Sequence, residues 1–133
     1  MLDKKLRVFV VDDDDIVRFL IVNLLLSEGY EVFEFKSPGV AIVQISNFLL
    51  LKKRLDLVIS DLTMPGVSGK VVLWHAKKIS CGEIGTILMS GDYEEEVKAA
   101  ARVAKADAFL LKPFCREDIF KAIDEVFPEL VIT

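Results

Sequence analysis

The stretch LVISDLTMPG, from Leu57 to Gly66, decides how the chain can fold. Its first half is an apolar, β-branched run that is typical of a buried strand, and this run ends at a single acid, Asp61. Pro65 and Gly66 follow at once, and both favour a sharp turn. The stretch therefore predicts a strand that holds one carboxylate at its end, with a turn that leads the chain away from it.

Strand-like runs recur along the chain, and stretches of helical period separate them. The last of these stretches has one apolar face, formed by Ile119, Phe120, Ile123, Val126 and Phe127. Alternation of strand and helix predicts an α/β fold, a doubly wound five-stranded parallel sheet with helices on both faces. Glu31 and Glu34 make the second run an edge strand, whereas the first, third and fourth runs are apolar enough for the centre. The five runs are Leu6–Val11, Tyr30–Phe35, Leu55–Ser60, Gly85–Ser90 and Asp107–Leu111.

Capping signals predict several helix ends. Ser37 followed by Pro38 indicates the start of the second helix, and Gly29 indicates the end of the first. Asp92 and Glu95 have the spacing of a capping box, which predicts that the fourth helix begins at Asp92. The whole chain, residues 1–133, is expected to be a single domain with its core between about residues 6 and 127.

Composition narrows the function classes. A net charge of −4 argues against direct binding of nucleic acid, because phosphate contacts require a basic patch. Cys81 and Cys115 match neither a disulfide framework nor a metal motif, which favours a reducing, cytoplasmic location. The first residues lack the form of a signal peptide, and no apolar stretch is long enough to span a membrane.

Acidic and basic side chains are predicted to meet at one edge of the sheet. In a doubly wound sheet the loops at the carboxyl ends of the strands form the ligand crevice. Oxygen ligands in such a cluster suit a hard cation, and Mg²⁺ is favoured because it leaves room for phosphate oxygens, with Mn²⁺ as an alternative. Asp61 would then be a metal ligand or a nucleophile that forms an aspartyl phosphate. The residues at this edge are Asp12, Asp13, Asp14 and Asp15 after the first strand, Asp61 after the third, Ser90 at the end of the fourth and Lys112 after the fifth.

Four segments occur in this order along the chain: VVDDDD with Arg18, DLVISDLTMPGVSG, TILMSGD and FLLKPF. Together they resemble a response-regulator receiver domain, the phospho-accepting half of two-component signalling, of the chemotaxis-receiver type. The resemblance covers nearly the whole chain and implies a flavodoxin-like (βα)5 fold with strand order 2-1-3-4-5.

The resemblance also implies a role for each residue of the site. Asp61 is the phosphoacceptor, Lys112 pairs with the phosphate, and Ser90 is both a catalytic and a switch hydroxyl. The implied Mg²⁺ ligands are Asp12, Asp13, Asp61 and the backbone carbonyl of Thr63.

Further roles follow from the same resemblance. The Lys112–Pro113 bond is expected to be cis, and Phe109 falls at the aromatic switch position. Thr63 and Asp92 occupy positions that modulate dephosphorylation. Lys105 stands where the family often has glycine, so it is expected in a left-handed conformation unless the loop differs.

The resemblance implies a signalling switch rather than an enzyme. Such a switch catalyses only its own phosphorylation and its own slow dephosphorylation. A histidine kinase or phosphotransfer protein would supply the phosphoryl group, and the surface of the fourth helix, fifth strand and fifth helix would bind partners or a second copy. Two alternatives are a haloacid-dehalogenase-like Mg²⁺ phosphohydrolase and a phosphorylation-independent binding module. Thr63 stands where the first of these needs a second acid.

Three residues outside the site are open to other interpretations. Cys115 lies at a helix start near Lys112, and both features would lower its pKa, so a redox role is a hypothesis. His75 lacks a partner at ligand spacing and is interpreted as a surface residue. Trp74 is interpreted as a packing residue or a partner contact. The output, the cognate kinase and the lifetime of the phosphorylated form are left open.

Overall fold

Strands and helices alternate along the chain in the computed structural model, which describes residues 5–130. The predicted strands lie within two residues of the observed ones at each end, and Gly85–Ser90 matches in full. The elements are β1 (Arg7–Val11), α1 (Asp15–Ser27), β2 (Glu31–Phe35), α2 (Pro38–Leu50), β3 (Leu57–Asp61), α3 (Gly69–Ile79), β4 (Gly85–Ser90), α4 (Glu94–Ala104), β5 (Ala108–Leu111), α5 (Arg116–Val126) and a final 3₁₀ turn (Pro128–Leu130).

All five strands form one parallel sheet in the order β2-β1-β3-β4-β5, which confirms the predicted fold. Every residue of β3 and β4 is buried, as their apolar sequences require. β2 lies at an edge, and its Glu31 and Glu34 are exposed. None of the helices in residues 5–130 combines the length and the apolar character that a membrane crossing requires.

The sheet separates two apolar layers, because successive side chains of a strand point to opposite faces. Val8 and Val10 of β1 face α1 and α5, whereas Phe9 and Val11 face the layer beneath α2, α3 and α4. Phe9 anchors the second layer near the β2 edge, where its ring lies 4.8 Å from that of Phe48 in an edge-on arrangement. The two layers hold the strands rigidly, and so they fix the positions of the strand ends.

Two of the predicted helix ends are confirmed. The Ser37 hydroxyl accepts a hydrogen bond from the Val40 amide, with Pro38 in the first turn of α2. Gly29 has a φ of 80° just after α1, and its amide donates to the carbonyl of Leu26. Glycine is favoured here because other residues adopt a positive φ only at a cost.

The predicted capping box at Asp92 is wrong. α4 begins at Glu94 with Tyr93 at the cap position, and no side chain caps its first turn. Asp92 lies in the preceding loop, where its amide donates to the Ser90 hydroxyl at 3.0 Å. Lys105, at the other end of α4, has the left-handed conformation that the sequence predicts, with a φ of 56°.

Gly69 allows α3 to begin directly against the end of β3. A Cβ atom at this position would lie 1.9 Å from the backbone oxygen of Asp61, and backbone cannot move aside cheaply. We therefore expect Gly69→Ala to lower the free energy of unfolding by about 3 kcal/mol, as overpacking does in a rigid core. Urea unfolding followed by circular dichroism measures this change.

The matched control for Gly69→Ala is Gly39→Ala, because Gly39 also lies in the first turn of a helix. Its Cβ would meet nothing nearer than the Ser37 hydroxyl oxygen at 3.8 Å. We expect the free energy of unfolding of this variant to rise by up to about 1 kcal/mol, because alanine has a better helix propensity than glycine. Equal unfolding free energies for the two variants would contradict the steric argument.

Candidate functional site

The carboxyl ends of four parallel strands bring the predicted site residues to one edge of the sheet. Asp12 directly follows β1, Asp61 is the last residue of β3, Ser90 is the last of β4, and Lys112 directly follows β5. All four strands run in the same direction, so residues far apart in sequence become neighbours. The structure therefore brings together the acids, the hydroxyl and the lysine that the sequence indicates.

Three carboxylates of this edge form a tight cluster. One oxygen from each of Asp12, Asp13 and Asp61 lies within 4.8 Å of the other two. Asp12 is 0% exposed and Asp61 is 7% exposed, whereas Asp13 is half-buried. Carboxylates at this separation repel one another, and a hard cation with a preference for oxygen ligands would relieve the repulsion.

Lys112 supplies the positive charge next to this cluster. Its Nζ lies 3.1 Å from Oδ2 of Asp12 and 3.0 Å from Oδ1 of Asp61. Burial acts to lower the pKa of the Lys112 ammonium, but the adjacent carboxylates of Asp61 and Asp12 outweigh it, so the pKa lies above its ordinary value. The peptide bond between Lys112 and Pro113 is cis. The charged form of Lys112 is therefore favoured, and it lies within hydrogen-bond distance of both acids.

The pKa of the Asp61 carboxyl lies above its ordinary value. Burial is the main cause, and the negative charges of Asp12 and Asp13 act in the same direction. The hydrogen bond and the positive charge of Lys112 oppose the shift without cancelling it. The ionised form of Asp61 is thus less stable in the folded protein than in the unfolded chain.

Asp61→Asn is expected to stabilise the metal-free protein near neutral pH. Because the pKa of Asp61 is higher in the folded state, its ionisation lowers the free energy of unfolding. This loss is absent below the pKa that Asp61 has in the unfolded chain, and it is complete above the pKa that Asp61 has in the folded protein. The variant removes this loss, so its free energy of unfolding in the presence of a chelator should be higher by about 1 kcal/mol, as is common when strain at a functional site is relieved.

Urea unfolding at two pH values tests the sign of this effect. The increase in the free energy of unfolding of Asp61→Asn over the wild type should be largest at about pH 7.5. It should shrink towards about pH 4, where Asp61 becomes protonated in both the folded and the unfolded state. A gain that grows as the pH falls would mean that ionised Asp61 stabilises the fold, through Lys112, more than burial destabilises it.

The four consecutive acids after β1 have different structural roles. Asp12 and Asp13 belong to the carboxylate cluster, whereas Asp14 caps α1 by accepting hydrogen bonds from the amides of Ile16 and Val17. Asp12 also accepts a hydrogen bond from the Asp14 amide at 2.9 Å, which fixes one oxygen of its carboxylate. A single cap would have needed only one acid, and the structure assigns that task to Asp14.

Arg18 holds the acidic loop in place, a task that the sequence did not predict. Its guanidinium donates to the backbone oxygen of Asp12 at 2.8 Å and bonds the carboxylates of Asp15 and Glu34. These contacts tie the loop to α1 and to the edge strand β2. Asp15 and Arg18 are three residues apart on one helix, and this spacing could have predicted their ion pair.

The remaining predicted residues lie around the same edge. The Ser90 side chain is buried, and its hydroxyl oxygen accepts from the Asp92 amide. Thr63 and Asp92 are exposed in the loops that follow β3 and β4. Phe109 lies on β5 beside Leu88 of β4, and it is half-buried against the apolar layer beneath α4.

Two interpretations outside the site need correction. The pKa of the exposed Cys115 thiol is raised: the backbone of Asp118 favours the thiolate, but the carboxylates of Glu117 and Asp118 outweigh it. The expected lowering is therefore wrong, and the redox hypothesis loses its basis. His75 is half-buried rather than a surface residue, because its Nε2 lies 2.9 Å from the hydroxyl of Ser46 and joins α3 to α2.

Comparison with known proteins gives a consistent result. A family model described as the response regulator receiver domain matches residues 8–124. An uncharacterized transcriptional regulatory protein, YrkP of Bacillus subtilis, is 32% identical over 113 residues, which are 85% of this chain and 46% of that protein. The chemotaxis protein CheY-3 of Vibrio cholerae is 25% identical over 134 residues and is covered to 98%, as is this chain.

The fold has close counterparts among solved structures. A CheY-like response regulator receiver domain protein from Methanospirillum hungatei superimposes with a TM-score of 0.81 and 28% identity, covering 96% of this chain and 97% of that one. The chain thus spans about half the length of the regulator YrkP and nearly the whole length of CheY-3.

Proposed function

This chain belongs to the response regulator receiver domain family of two-component signalling, and we propose that it accepts a phosphoryl group on Asp61. One observation carries the proposal. A nearly buried carboxylate at the end of β3 lies 3.0 Å from a lysine ammonium and shares a cluster with two further acids. Such a carboxylate is held in place as a nucleophile, with charged groups next to it that can act on the incoming phosphoryl oxygens.

The oxygen atoms of the cluster fit a divalent cation. Asp12, Asp13 and Asp61, with the backbone carbonyl of Thr63, would hold Mg²⁺, and Mn²⁺ suits the same ligands. By the same resemblance, Asp13 would contact the ion directly and Asp12 would act on it through a water. When bound, the ion neutralises negative charge on the phosphoryl oxygens.

The transfer reaction uses the side chains already in place. An oxygen of Asp61 attacks the phosphorus of a phosphohistidine on a histidine kinase or phosphotransfer protein. A new oxygen–phosphorus bond forms as the phosphorus–nitrogen bond breaks, and the histidine leaves and takes up a proton. The ammonium of Lys112 and the hydroxyl of Ser90 stabilise charge on the transferred phosphoryl group. Water later attacks the phosphorus, releases phosphate and restores the carboxylate.

The family acts in signalling and is not a conventional enzyme, so the phosphorylated state must change a binding surface. We propose that Ser90 moves towards the phosphoryl group and that Phe109 turns inward into the space that this opens. The surface of α4, β5 and α5 would then change its affinity for a cytoplasmic partner or a second copy, which is a shift between two populations. Thr63 and Asp92 flank the site and would set the rate of dephosphorylation.

Intact-mass measurement after incubation with acetyl phosphate and Mg²⁺ tests the proposal. We expect the mass to rise by one phosphoryl group, and a chelator to prevent the rise. Repeated hydrolysis of an aryl phosphate would instead support a phosphohydrolase. Absence of any uptake, also from a histidine kinase donor, would support a binding module that does not use the site.

A further inference from the structure

α3 and α4 enclose a surface groove that the proposed phosphorylation does not use. The groove consists of two adjoining cavities of about 460 and 380 Å³, and Trp74 lines both. Val71 and Val103 line one cavity, whereas Lys78 and Lys105 line the other. It lies on the α3 side of α4, away from the α5 side that belongs to the expected switch surface.

The centre of the groove is apolar and exposed. Trp74 is 44% exposed, Val71 is 47% exposed and Val103 is 68% exposed, although all three are large apolar side chains. They come from two helices and meet along one cavity. An apolar patch that charged residues surround is typical of an interaction site, and tryptophan is the residue most enriched at binding hot spots.

Lysines border this apolar centre. Lys70 lies in one cavity, and Lys78 and Lys105 lie in the other. The Nζ of Lys78 lies 4.7 Å from the Trp74 ring centroid, a cation–π contact that holds the ammonium beside the patch. The residues that line the two cavities include no acid, in a chain whose net charge is −4. The groove therefore attracts negative charge where the chain as a whole repels it.

Lys77 does not add to this attraction. Its ammonium pairs with the carboxylate of Asp107 and donates to the carbonyl of Gly82, which holds the end of α3 to the start of β5. The free cations of the groove are thus Lys70, Lys78 and Lys105, since these residues have no ion pair within the described chain.

Lys105 ends α4 and lines the larger cavity. It has a left-handed conformation with a φ of 56°, as residues just past the end of a helix often do. A positive φ costs a side-chain-bearing residue on the order of 1 kcal/mol, which glycine would avoid. The same conformation occurs at Lys52, which follows α2 and lies outside the groove, so a matched pair of lysines is available for the test.

We propose that this groove binds an acidic peptide segment of a partner protein, with one apolar anchor residue on Trp74 and carboxylates on the surrounding lysines. α3 has 11 residues and is therefore about 16 Å long, which matches about five residues of an extended peptide. A nucleic acid fits less well, because it would carry phosphates across the apolar centre, whereas a peptide can place acids at the ends and an anchor between them.

The tryptophan makes the test direct. Trp74 is the single tryptophan of the chain, so its fluorescence reports on the groove alone. The probe is a short synthetic peptide of glutamates around one phenylalanine, without tryptophan, and it is titrated into the wild-type protein. We expect a saturable change in Trp74 fluorescence that weakens with salt. A peptide of glutamate alone and a single-stranded oligonucleotide should each bind more weakly.

Two variants separate binding from folding. Lys105→Gly removes a cation and also relieves the positive φ, so we expect a protein at least as stable as the wild type with peptide affinity lowered roughly three- to fivefold, the effect of a partly exposed ion pair. Lys78→Glu should lower the affinity by roughly tenfold, because it reverses a charge. Lys52→Gly is the matched control: it makes the same change at a positive φ outside the groove and should bind like the wild type.

Three outcomes would overturn the proposal. The first is a Trp74 signal that does not saturate, and the second is equal affinity of the Lys105→Gly, Lys78→Glu and Lys52→Gly variants. The third is binding of the glutamate-only peptide or the oligonucleotide as tight as that of the anchored peptide, since an anion site without an apolar anchor would then suffice. None of these measurements depends on phosphorylation of Asp61, so a failure of the groove proposal can be distinguished from a failure of the proposed function.

Discussion

Asp61→Asn is expected to abolish the uptake of a phosphoryl group completely. The amide nitrogen and oxygen of asparagine are poor nucleophiles, whereas the carboxylate of Asp61 is held at the end of β3 next to Lys112. Asp12 cannot replace it, because its carboxylate is fully buried and already accepts hydrogen bonds from Lys112 and from the Asp14 amide. The measurement is the intact mass after incubation with acetyl phosphate and Mg²⁺.

Asp92→Asn is the matched control for this prediction. Asp92 is an exposed acid at the same edge of the sheet, and its backbone, not its carboxylate, contacts Ser90. The control should therefore take up one phosphoryl group, with a changed lifetime as its measurable effect. Uptake that persists in Asp61→Asn would place the phosphoryl group on another residue and would contradict the proposed function.

The unfolding free energy of Asp61→Asn distinguishes lost chemistry from lost folding, because the same substitution is expected to raise stability in the absence of metal. The two predictions share one cause. The burial and the neighbouring charges that make ionised Asp61 costly also hold its carboxylate at the crevice. A carboxylate kept at a cost to stability, in a position fixed by a strand, is what the proposed role of Asp61 as phosphoacceptor requires.

Much of the fold was predictable because local patterns and global packing agree. The apolar runs of β3 and β4 could be placed only in the centre of a sheet, and Glu31 and Glu34 only at an edge. The strand order came from the family resemblance, since the pattern of alternation alone permits several orders. The start of α4 was missed, because the Ser90 hydroxyl binds the Asp92 amide, and this contact depends on the fold of the β4–α4 loop.

The site was predictable to the extent that topology alone assembles it. Parallel strands bring their carboxyl ends together, so Asp12, Asp61 and Lys112 could be expected to meet. Contacts between side chains of different helices left no local trace in the sequence. The bond between His75 and Ser46 joins residues 29 positions apart, and the groove beside Trp74 needs a valine from α4. Such pairings depend on how the helices pack.

Asp13→Asn is expected to lower the affinity for Mg²⁺ by at least roughly 100-fold, because even residues that only support a metal ligand contribute 10- to 100-fold. Asp13 is the half-buried member of the cluster, and neither Lys112 nor a backbone amide of the described chain occupies its carboxylate. It is therefore the acid best able to bind the ion directly. A Mg²⁺ titration followed by the melting temperature measures the affinity, since a ligand of the folded state stabilises it by mass action.

The Mg²⁺-dependent rise, not the melting temperature itself, is the informative quantity, because removal of one of three clustered charges also stabilises the metal-free protein. Asp14→Asn serves as the control: it removes the same charge from the next residue, and asparagine caps a helix as well as aspartate does. We expect its titration midpoint to match that of the wild type. Equal shifts for the two variants would mean that the ion responds to the total charge of the loop and that Asp13 is not a ligand.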